Sequence, residues 1–419
     1  MLPVSRLERV AVGAGVFLSM FLVWRLGSVF FTVSDLLFTV TFVLLLCTRG
    51  LPRQPLGGLT GPWLIAFSLL AFGLIASSVV HGDPLRGLIV SGQYAFSLVI
   101  LPFLLSARDE ETTIFYVKCL VAGIIFVNAF GIVFYYDSYD PTVGPSDLHY
   151  ISGSGRLQGL VGDPNGNAAL IALALPFILF LWMSGQISAL LVVPAFGIAI
   201  VGLIMSSSVG GLGMSALGVL VFLTASGSFR VLAKTIAGLA VCLLVLFGWA
   251  GFKPPQVFET RVMSAFHSGS IEDAGTFHDR MELNYQALDM IKTLTVLGVG
   301  ADRFREINHY PVHNTYLIVW VEGGVIALAG WLMVLALAFA AALRALLMPG
   351  KRLIAALGLS TATVFALIGM SGAHLYGRYW LVPVHLSLSL VLFGTVRRRA
   401  RRPTELQPAM APEHGRAQL

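Results

Sequence analysis

The sequence HYPVHNTYL, residues 309 to 317, places a histidine and an asparagine where a long polar segment meets an apolar one. Pro311 disfavours helix in the residue before it, so His313 and Asn314 are predicted at the N-terminus of the apolar helix. That position disfavours a protonated imidazole, which keeps His313 neutral and able to accept a proton near pH 7. This is what a general base requires, with Asn314 capping the helix and Tyr316 one turn further on. An interfacial histidine beside a capping asparagine is the alternative.

A candidate phosphate site lies in GSGRLQGLVGDPNGNAAL, residues 153 to 170. Asp163, Pro164 and Asn165 predict a turn that begins the next apolar helix. The free backbone N–H groups at that helix end and the guanidinium of Arg156 could together hold a phosphate. The alternative is that GDPNGN only caps the helix and that Arg156 reaches lipid headgroups.

Arg280 begins a predicted amphipathic helix over about residues 279 to 292, lying against the membrane face. A cation in the first turn is unfavourable for the helix dipole, so Arg280 is better explained by an anionic partner. Asp279 or Glu282 could be that partner. The predicted apolar stripe consists of Met281, Tyr285, Leu288 and Ile291 or Lys292.

Two further charged residues lie in or beside apolar segments. Glu322 is inside one, where a carboxylate is costly and usually pairs with a partner or lines a cavity. The glycines after it, Gly323 and Gly324, predict a break or a close helix contact. Arg378 begins the last apolar segment, where it either joins a basic cavity or anchors at headgroups.

Carboxylates in the polar loops offer a weak case for a metal site. Asp137 and Asp140, or Glu272 and Asp273, could hold a divalent cation through their oxygens, but solvated loop acids are the favoured interpretation. The three cysteines are few and widely spaced, which predicts neither disulfides nor a metal cluster. We therefore expect no metal and no cofactor.

The composition predicts an all-α integral membrane protein. The chain is 57% hydrophobic and only 11% charged, whereas soluble domains carry about a quarter charged residues. A formal charge of +6 is attributed to membrane topology, so nucleic acid is not an expected partner. About twelve transmembrane helices are predicted, near residues 10–30, 33–47, 63–80, 87–106, 114–134, 168–183, 187–205, 210–224, 234–250, 315–345, 353–370 and 379–396.

The basic residues assign the loops to two sides. With Arg6 and Arg9 in the cytoplasm, both termini are predicted to be cytoplasmic, because the same side receives the final RRRARR and four pairs of basic residues between spans: Arg49 and Arg53, Arg108 and Lys118, Arg230 and Lys234, and Lys351 and Arg352. Residues 1–402 then form one polytopic domain with two long loops, 135–167 and 251–312, on the opposite, outer side. The tail 403–419 is predicted to be disordered.

Taken together, GRLQGLVGDPNGNAAL, HDRMELNYQALDMI with LGVGADRF, and HNTYLIVWVEGGVIAL resemble the bacterial O-antigen ligase and polymerase superfamily. The resemblance implies an inverting, metal-independent glycosyltransferase of the polytopic GT-C type, acting on the periplasmic face of the bacterial inner membrane. Its donor would be a glycan on undecaprenyl pyrophosphate. In ligases the acceptor is a sugar hydroxyl of the lipid A core.

The same resemblance implies roles for individual residues. Arg156 and Arg280 would engage the pyrophosphate, and His313 would be the essential histidine. Supporting roles would fall to Asp163, Asn165, Asn314, Tyr316 and Glu322.

Two departures from the family pattern concern the substrates. Relatives often carry an arginine after a serine-rich turn, where MSSSVGGLG has Val209; Arg378 could supply that contact instead. The loop helix also lacks the usual tryptophan and has Asn284 or Tyr285 nearby, which leaves the acceptor open.

Three functions are compatible with these features. The long loop next to the histidine favours a ligase, and a polymerase extending the lipid-linked glycan is the alternative with the same chemistry. A transporter or flippase for lipid-linked glycans would require ionisable residues deep in several spans, where Asn128 and His385 are the chief polar candidates.

Overall fold

The computed structural model describes residues 6–23, 31–48, 50–106, 108–138, 150–227, 229–244, 248, 251–268, 277–294 and 296–400. No β-strand occurs in these ranges, where an isolated bridge between Ile151 and Leu157 is extended pairing outside the helices. The expected tail 403–419 lies outside the described residues. The helices are numbered in chain order: α1 (Arg6–Leu18), α2 (Val33–Thr48), α3 (Thr60–His81), α4 (Pro84–Ala95), α5 (Leu101–Leu105), α6 (Glu110–Ser138), α7 (Pro164–Met183), α8 (Ala189–Ser206), α9 (Val209–Ser226), α10 (Phe229–Leu244), α11 (Gln256–Phe258), α12 (Ser264–Ser268), α13 (Phe277–Thr293), α14 (Arg303–Asn308), α15 (Thr315–Leu346), α16 (Arg352–Gly369) and α17 (Arg378–Ala400).

Eight helical segments within the described ranges are long and apolar enough to cross a membrane: Gly57–His81, Pro84–Leu105, Glu110–Tyr136, Pro164–Met183, Ala189–Ser206, Val209–Ser226, Thr315–Leu346 and Arg352–Gly369. Val33–Thr48 and Arg378–Leu392 are shorter apolar helices. The remaining two predicted spans coincide with α1 and α10, and their continuations into residues 24–30 and 245–247 lie outside the described residues. An all-α, multi-pass architecture is therefore confirmed, while the number twelve and the periplasmic loops stay predictions.

Helix α7 is the most enclosed of these segments, because 89% of its 18-residue apolar stretch is buried. It packs against α6, α8, α9 and α16. Its sequence is apolar on all sides, which is the pattern of a helix surrounded by protein. The helices around α7 therefore hold its first residues in place.

Small residues let α3 and α15 approach closely. A Cβ at Gly330 would lie 2.5 Å from the carbonyl oxygen of Ala66, and one at Gly73 would lie 2.6 Å from that of Gly323. Close backbone approach at glycine is a common way for membrane helices to pack, because apolar side chains gain nothing by leaving lipid. Through this contact α3 supports the helix that follows His313.

Helix α15 is broken at Gly324, whose backbone is non-helical with φ 72°. The chain segment before α14 fills the break, since the backbone of Val299 donates to the carbonyl of Val321 at 2.8 Å. A Cβ at Gly298 would lie 2.4 Å from that same carbonyl oxygen. The break predicted from the sequence EGG is confirmed, and GVG is a close-packing loop against it.

Basic residues and their partners gather at one end of the bundle. Arg108 pairs with Glu8, and Arg9 pairs with Glu111. The loop of Arg156 follows the C-terminal end of α6, whereas Arg108 precedes its N-terminal end. Arg280 lies near the start of α13, and His313 precedes the N-terminal end of α15. That the basic end faces the cytoplasm stays a prediction.

Candidate active site

Arg156 lies in a tight loop that folds back on itself before α7. The backbone of Ser152 donates to the carbonyl of Arg156 at 2.9 Å. The guanidinium is 5% exposed; its Nε donates to the carbonyl of Ser206 at 2.8 Å and its Nη2 to Oδ1 of Asn165 at 2.7 Å. Both acceptors are neutral. Arg156 is thus oriented at the C-terminal end of α8 by neutral oxygens and forms no ion pair among the described residues, although the charge of Asp163 acts on it.

Asp163 and Asn165 form the predicted turn at the start of α7. Asp163 is the cap, and its carboxylate accepts from the backbone N–H of Asn165 at 3.3 Å and of Gly166 at 2.7 Å. Oδ1 of Asn165 also accepts from Oγ of Ser208 at 3.0 Å. The amide of Asn165 therefore ties Arg156 to the turn between α8 and α9.

His313 is half-buried and directly precedes the cap of α15. Oδ1 of Asn314 accepts from the backbone N–H of Tyr316 at 3.0 Å and of Leu317 at 3.2 Å, so the predicted cap is confirmed. Burial lowers the pKa of His313, and the charge of Arg280 lowers it further, while Asp163 opposes both. The neutral imidazole predicted from the helix end is thus favoured, through burial and a neighbouring arginine.

Arg280 lies near the start of α13 and is half-buried. Within the described part of the chain no ion pair joins it to Asp279 or Glu282, and Glu282 instead accepts from Nε2 of Gln286 at 3.1 Å. Its charge acts on His313 and on Arg156. Arg280 therefore lies within electrostatic range of both.

Helix α13 is present as predicted, but a different stripe contacts the bundle. Ala287 and Ile291 are buried and Leu283 packs beside them, at helical spacing, against the core that includes α15. Tyr285 and Leu288 are exposed. The face that packs against α15 is therefore formed by Leu283, Ala287 and Ile291, of which only Ile291 belongs to the predicted stripe; that the exposed Tyr285 and Leu288 face the membrane stays a prediction.

Arg261 was not singled out by the sequence motifs. It lies on the helical turn Glu259–Met263 and is half-buried, and its buried Nε has no hydrogen-bond partner. Burial and the charge of Arg280 lower the pKa of Arg261. Burial, then the charge of Arg261, lowers the pKa of Arg156 to about 10, so Arg156 stays cationic at neutral pH. No local pattern in FETRVM distinguishes this arginine from a solvated one.

Glu322 and Tyr316 are engaged with the bundle. Glu322 is 1% exposed, and its Oε2 contacts Nε2 of His374 at 2.8 Å, while Nδ1 of His374 contacts the hydroxyl of Tyr94 at 3.0 Å. Tyr316 donates to the carbonyl of Ala366 at 2.7 Å. Both residues therefore hold α15 in place beyond His313.

Arg378 is buried in a two-point ion pair with Asp35. Its Nε lies 2.5 Å from Oδ1 and its Nη2 lies 2.6 Å from Oδ2. The guanidinium also lies over the ring of Phe96, 5.1 Å from its centroid. The structure gives Arg378 a fixed counter-ion, Asp35. That Arg378 supplies the contact expected from an arginine at Val209 stays a prediction.

The acids considered for a metal site lie where the structure gives no side-chain description. These are Asp137, Asp140, Glu272 and Asp273. Among the described side chains no group of three or more His, Cys, Asp or Glu could hold a metal ion. Metal independence stays a prediction.

A family model described as O-antigen ligase matches residues 194–332. The resemblance to the O-antigen ligase and polymerase superfamily is confirmed. The matched region contains Arg261, Arg280 and His313, whereas Arg156 and Arg378 lie outside it. No curated protein matches the chain.

Proposed function

We propose that the protein is a glycosyltransferase of the O-antigen ligase type. It transfers a glycan from undecaprenyl pyrophosphate to a sugar hydroxyl of the lipid A core, on the periplasmic face of the bacterial inner membrane. The long loop beside His313 favours a ligase over a polymerase, and the matched family supports the chemistry that the two share.

The observation that carries the proposal is a neutral base beside arginines that form no ion pair among the described residues. The lowered pKa of His313 leaves it able to accept a proton near pH 7. Arg280, whose charge acts on His313, also acts on Arg156. Sugar transfer from a pyrophosphate needs both elements together, because a proton must leave the acceptor while negative charge develops on the departing phosphate.

The proposed reaction is a single displacement at the anomeric carbon. The acceptor oxygen attacks from the face opposite the pyrophosphate, a new carbon–oxygen bond forms, and the bond to the pyrophosphate oxygen breaks with its electron pair. His313 takes the acceptor proton, while Arg156 and Arg280 stabilise the departing undecaprenyl pyrophosphate. Pyrophosphate is a good leaving group, so no acid and no metal is assigned to it.

The remaining predicted residues act by positioning. Asn165 orients Arg156 through the 2.7 Å hydrogen bond, and Asp163 holds the turn that carries Asn165. Asn314 caps the helix behind His313. Tyr316 and Glu322 anchor that helix to the bundle. We leave Arg378 out of the pyrophosphate site because Asp35 already neutralises it.

A transporter is less well supported. Asn128 and His385 are buried and hydrogen-bonded inside the bundle, to Asn167 at 3.0 Å and to the carbonyl of Ser97 at 2.8 Å. Neither is an ionised side chain lining a polar path, which a carrier for a charged lipid would require.

The test uses purified protein in detergent with undecaprenyl-pyrophosphate glycan, truncated lipid A core and a chelator. Wild type should shift the core on a gel, and His313→Ala should lower the rate by about 10² to 10⁴-fold. His278→Ala is the matched control, since His278 is exposed on α13 in the same loop.

Three other results would change the assignment. A lengthened donor without shifted core would make the protein a polymerase. A donor left intact under all conditions would favour a transporter. An equal loss of transfer rate in His313→Ala and His278→Ala would contradict the role of His313 as the general base.

A further inference from the structure

Arg261 acts on the charge of Arg156 although 105 residues separate the two in the chain, and the packing of its segment explains why. Phe252, just before the segment that carries Arg261, packs against a cluster containing Leu157 and Met205. Leu157 follows Arg156, and Met205 precedes the carbonyl that Arg156 contacts. Helix α11 packs on α8 from the same side. This packing, rather than a surface position, brings Arg261 to the candidate site.

The guanidinium of Arg261 has a buried N–H donor without a hydrogen-bond partner. Its Nε is buried and has no hydrogen-bond partner, while the next residue, Val262, is 1% exposed and fixes the turn. Buried charged donors are normally paired, so this donor can bind an anionic partner. No carboxylate pairs with Arg261 or Arg280 within the described ranges.

Arg156 and Arg261 differ in the hydrogen-bond donors that remain without a partner. Arg156 uses Nε and Nη2 on the neutral oxygens of Ser206 and Asn165. Arg261 retains its Nε, and the Nε and Nη donors along one edge of a guanidinium match two oxygens of one phosphate. A pyrophosphate has enough oxygens and negative charge to engage all three side chains, whereas a single phosphate has fewer of both.

We propose that Arg261 binds the pyrophosphate of the lipid-linked substrate, as the third guanidinium of a site formed with Arg156 and Arg280. This inference rests on the proposed function for the identity of the lipid. It assigns Arg261 to binding in both donor and product, because the pyrophosphate is present before and after transfer. Its loss therefore raises donor KM more than it lowers kcat.

The test measures binding of undecaprenyl pyrophosphate and undecaprenyl phosphate to the full chain in nanodiscs. Wild type should bind the pyrophosphate lipid more tightly, and Arg261→Gln should weaken that binding by about 10 to 100-fold while changing monophosphate binding less. Arg261→Lys keeps the charge without the two-donor edge and should lie between them. Lys253→Gln, an exposed cation of the same segment, is the control and should match wild type.

Nanodiscs of phosphatidylcholine alone and with phosphatidylglycerol separate the substrate from a headgroup. A defect in Arg261→Gln that appears only with phosphatidylglycerol would make Arg261 a headgroup ligand and overturn the proposal. So would equal preference for pyrophosphate in wild type and Arg261→Gln at an unchanged thermal unfolding midpoint. If Arg261→Gln does not fold, Arg261→Lys decides by the same preference, and wild-type preference in that variant would overturn the proposal.

The proposed function can fail separately. Tight, Arg261-dependent binding of undecaprenyl pyrophosphate without any glycan transfer would support the binding site but contradict the proposed transferase activity. Transfer with normal donor KM in Arg261→Gln would do the reverse.

Discussion

Two groups of buried or half-buried arginines differ in what surrounds them. Arg108 and Arg378 lie inside the bundle, each with a carboxylate within 2.6 Å, from Glu8 and Asp35 respectively. The loop arginines at the opposite end from Arg108 have none: Arg156 contacts neutral oxygens, and Arg261 and Arg280 have no ion pair among the described residues. The first group is paired with carboxylates when the chain folds, whereas the second forms no such pair and has only the more distant charge of Asp163 acting on Arg156.

This difference separates arginines that hold helices together from arginines that await an anion. Replacing one member of a buried pair leaves an uncompensated charge, so the loss falls on stability. Removing Arg261 or Arg280 breaks no ion pair among the described residues, so the loss falls on ligand binding and transfer, whereas removing Arg156 also breaks its hydrogen bonds to Ser206 and Asn165. Stability and activity measured side by side should therefore assign each arginine to its group.

The largest stability effect is expected at Arg378. Arg378→Met leaves the carboxylate of Asp35 buried without its partner and should cost about 3–5 kcal/mol, measured as a lower thermal unfolding midpoint in detergent. Neutralising both, in Asp35→Asn/Arg378→Met, should recover most of that loss and retain glycan transfer. A stable but inactive double variant would instead place Arg378 in the pyrophosphate site.

Arg280→Gln should do the opposite. Transfer is expected to fall by about 10²–10³-fold, because one donor to the developing charge is lost, while the unfolding midpoint stays near wild type. Arg280→Lys should retain part of the rate, since it keeps the charge but not the planar fork. Wild-type transfer in Arg280→Gln would contradict the division between the two groups.

The pKa of His313 offers a smaller, signed test. Arg280 lowers this pKa and Asp163 raises it, so Arg280→Gln should move the imidazole titration up towards its ordinary value of about 6.5, and Asp163→Asn should move it down. Asparagine can still cap α7. Transfer needs the neutral imidazole, so the acid limb of kcat/KM should follow these shifts.

NMR titration of labelled histidine measures the shifts without requiring activity. Glu282→Gln is the control, because Glu282 is exposed on the same helix and is not among the charges that act on His313. If Arg280→Gln and Asp163→Asn moved the pKa of His313 in the same direction, Arg280 and Asp163 would not act on His313 with opposite signs.

The smallest effect is expected at an exposed pair of the same loop. Arg303 and Glu306 lie 2.9 Å apart with about half of each side chain exposed. Solvent screening makes such a pair worth less than about 0.5 kcal/mol, so Arg303→Gln should leave both unfolding and transfer near wild type. A large loss of transfer would add Arg303 to the uncompensated group.

Where a structural feature depends on neighbours in the chain, the sequence alone determined it. Asn314 caps α15 and Asp163 caps α7 because a short polar side chain can reach backbone N–H groups two and three residues on. The break at Gly324 follows from a carboxylate and two glycines inside an apolar run. The helical class follows from composition, since apolar membrane segments must satisfy their backbone hydrogen bonds internally.

Tertiary structure decided what depends on distant parts of the chain. Asp35 and Arg378 are 343 residues apart, and no local pattern tells an arginine that will find a carboxylate from one that will not. The same is true of Arg261, whose neighbours Arg156 and Arg280 lie on separate segments. Hydrogen bonds within a helical turn are fixed by spacing along the sequence, whereas the pairing of buried charges is fixed by which helix ends the packed bundle brings together.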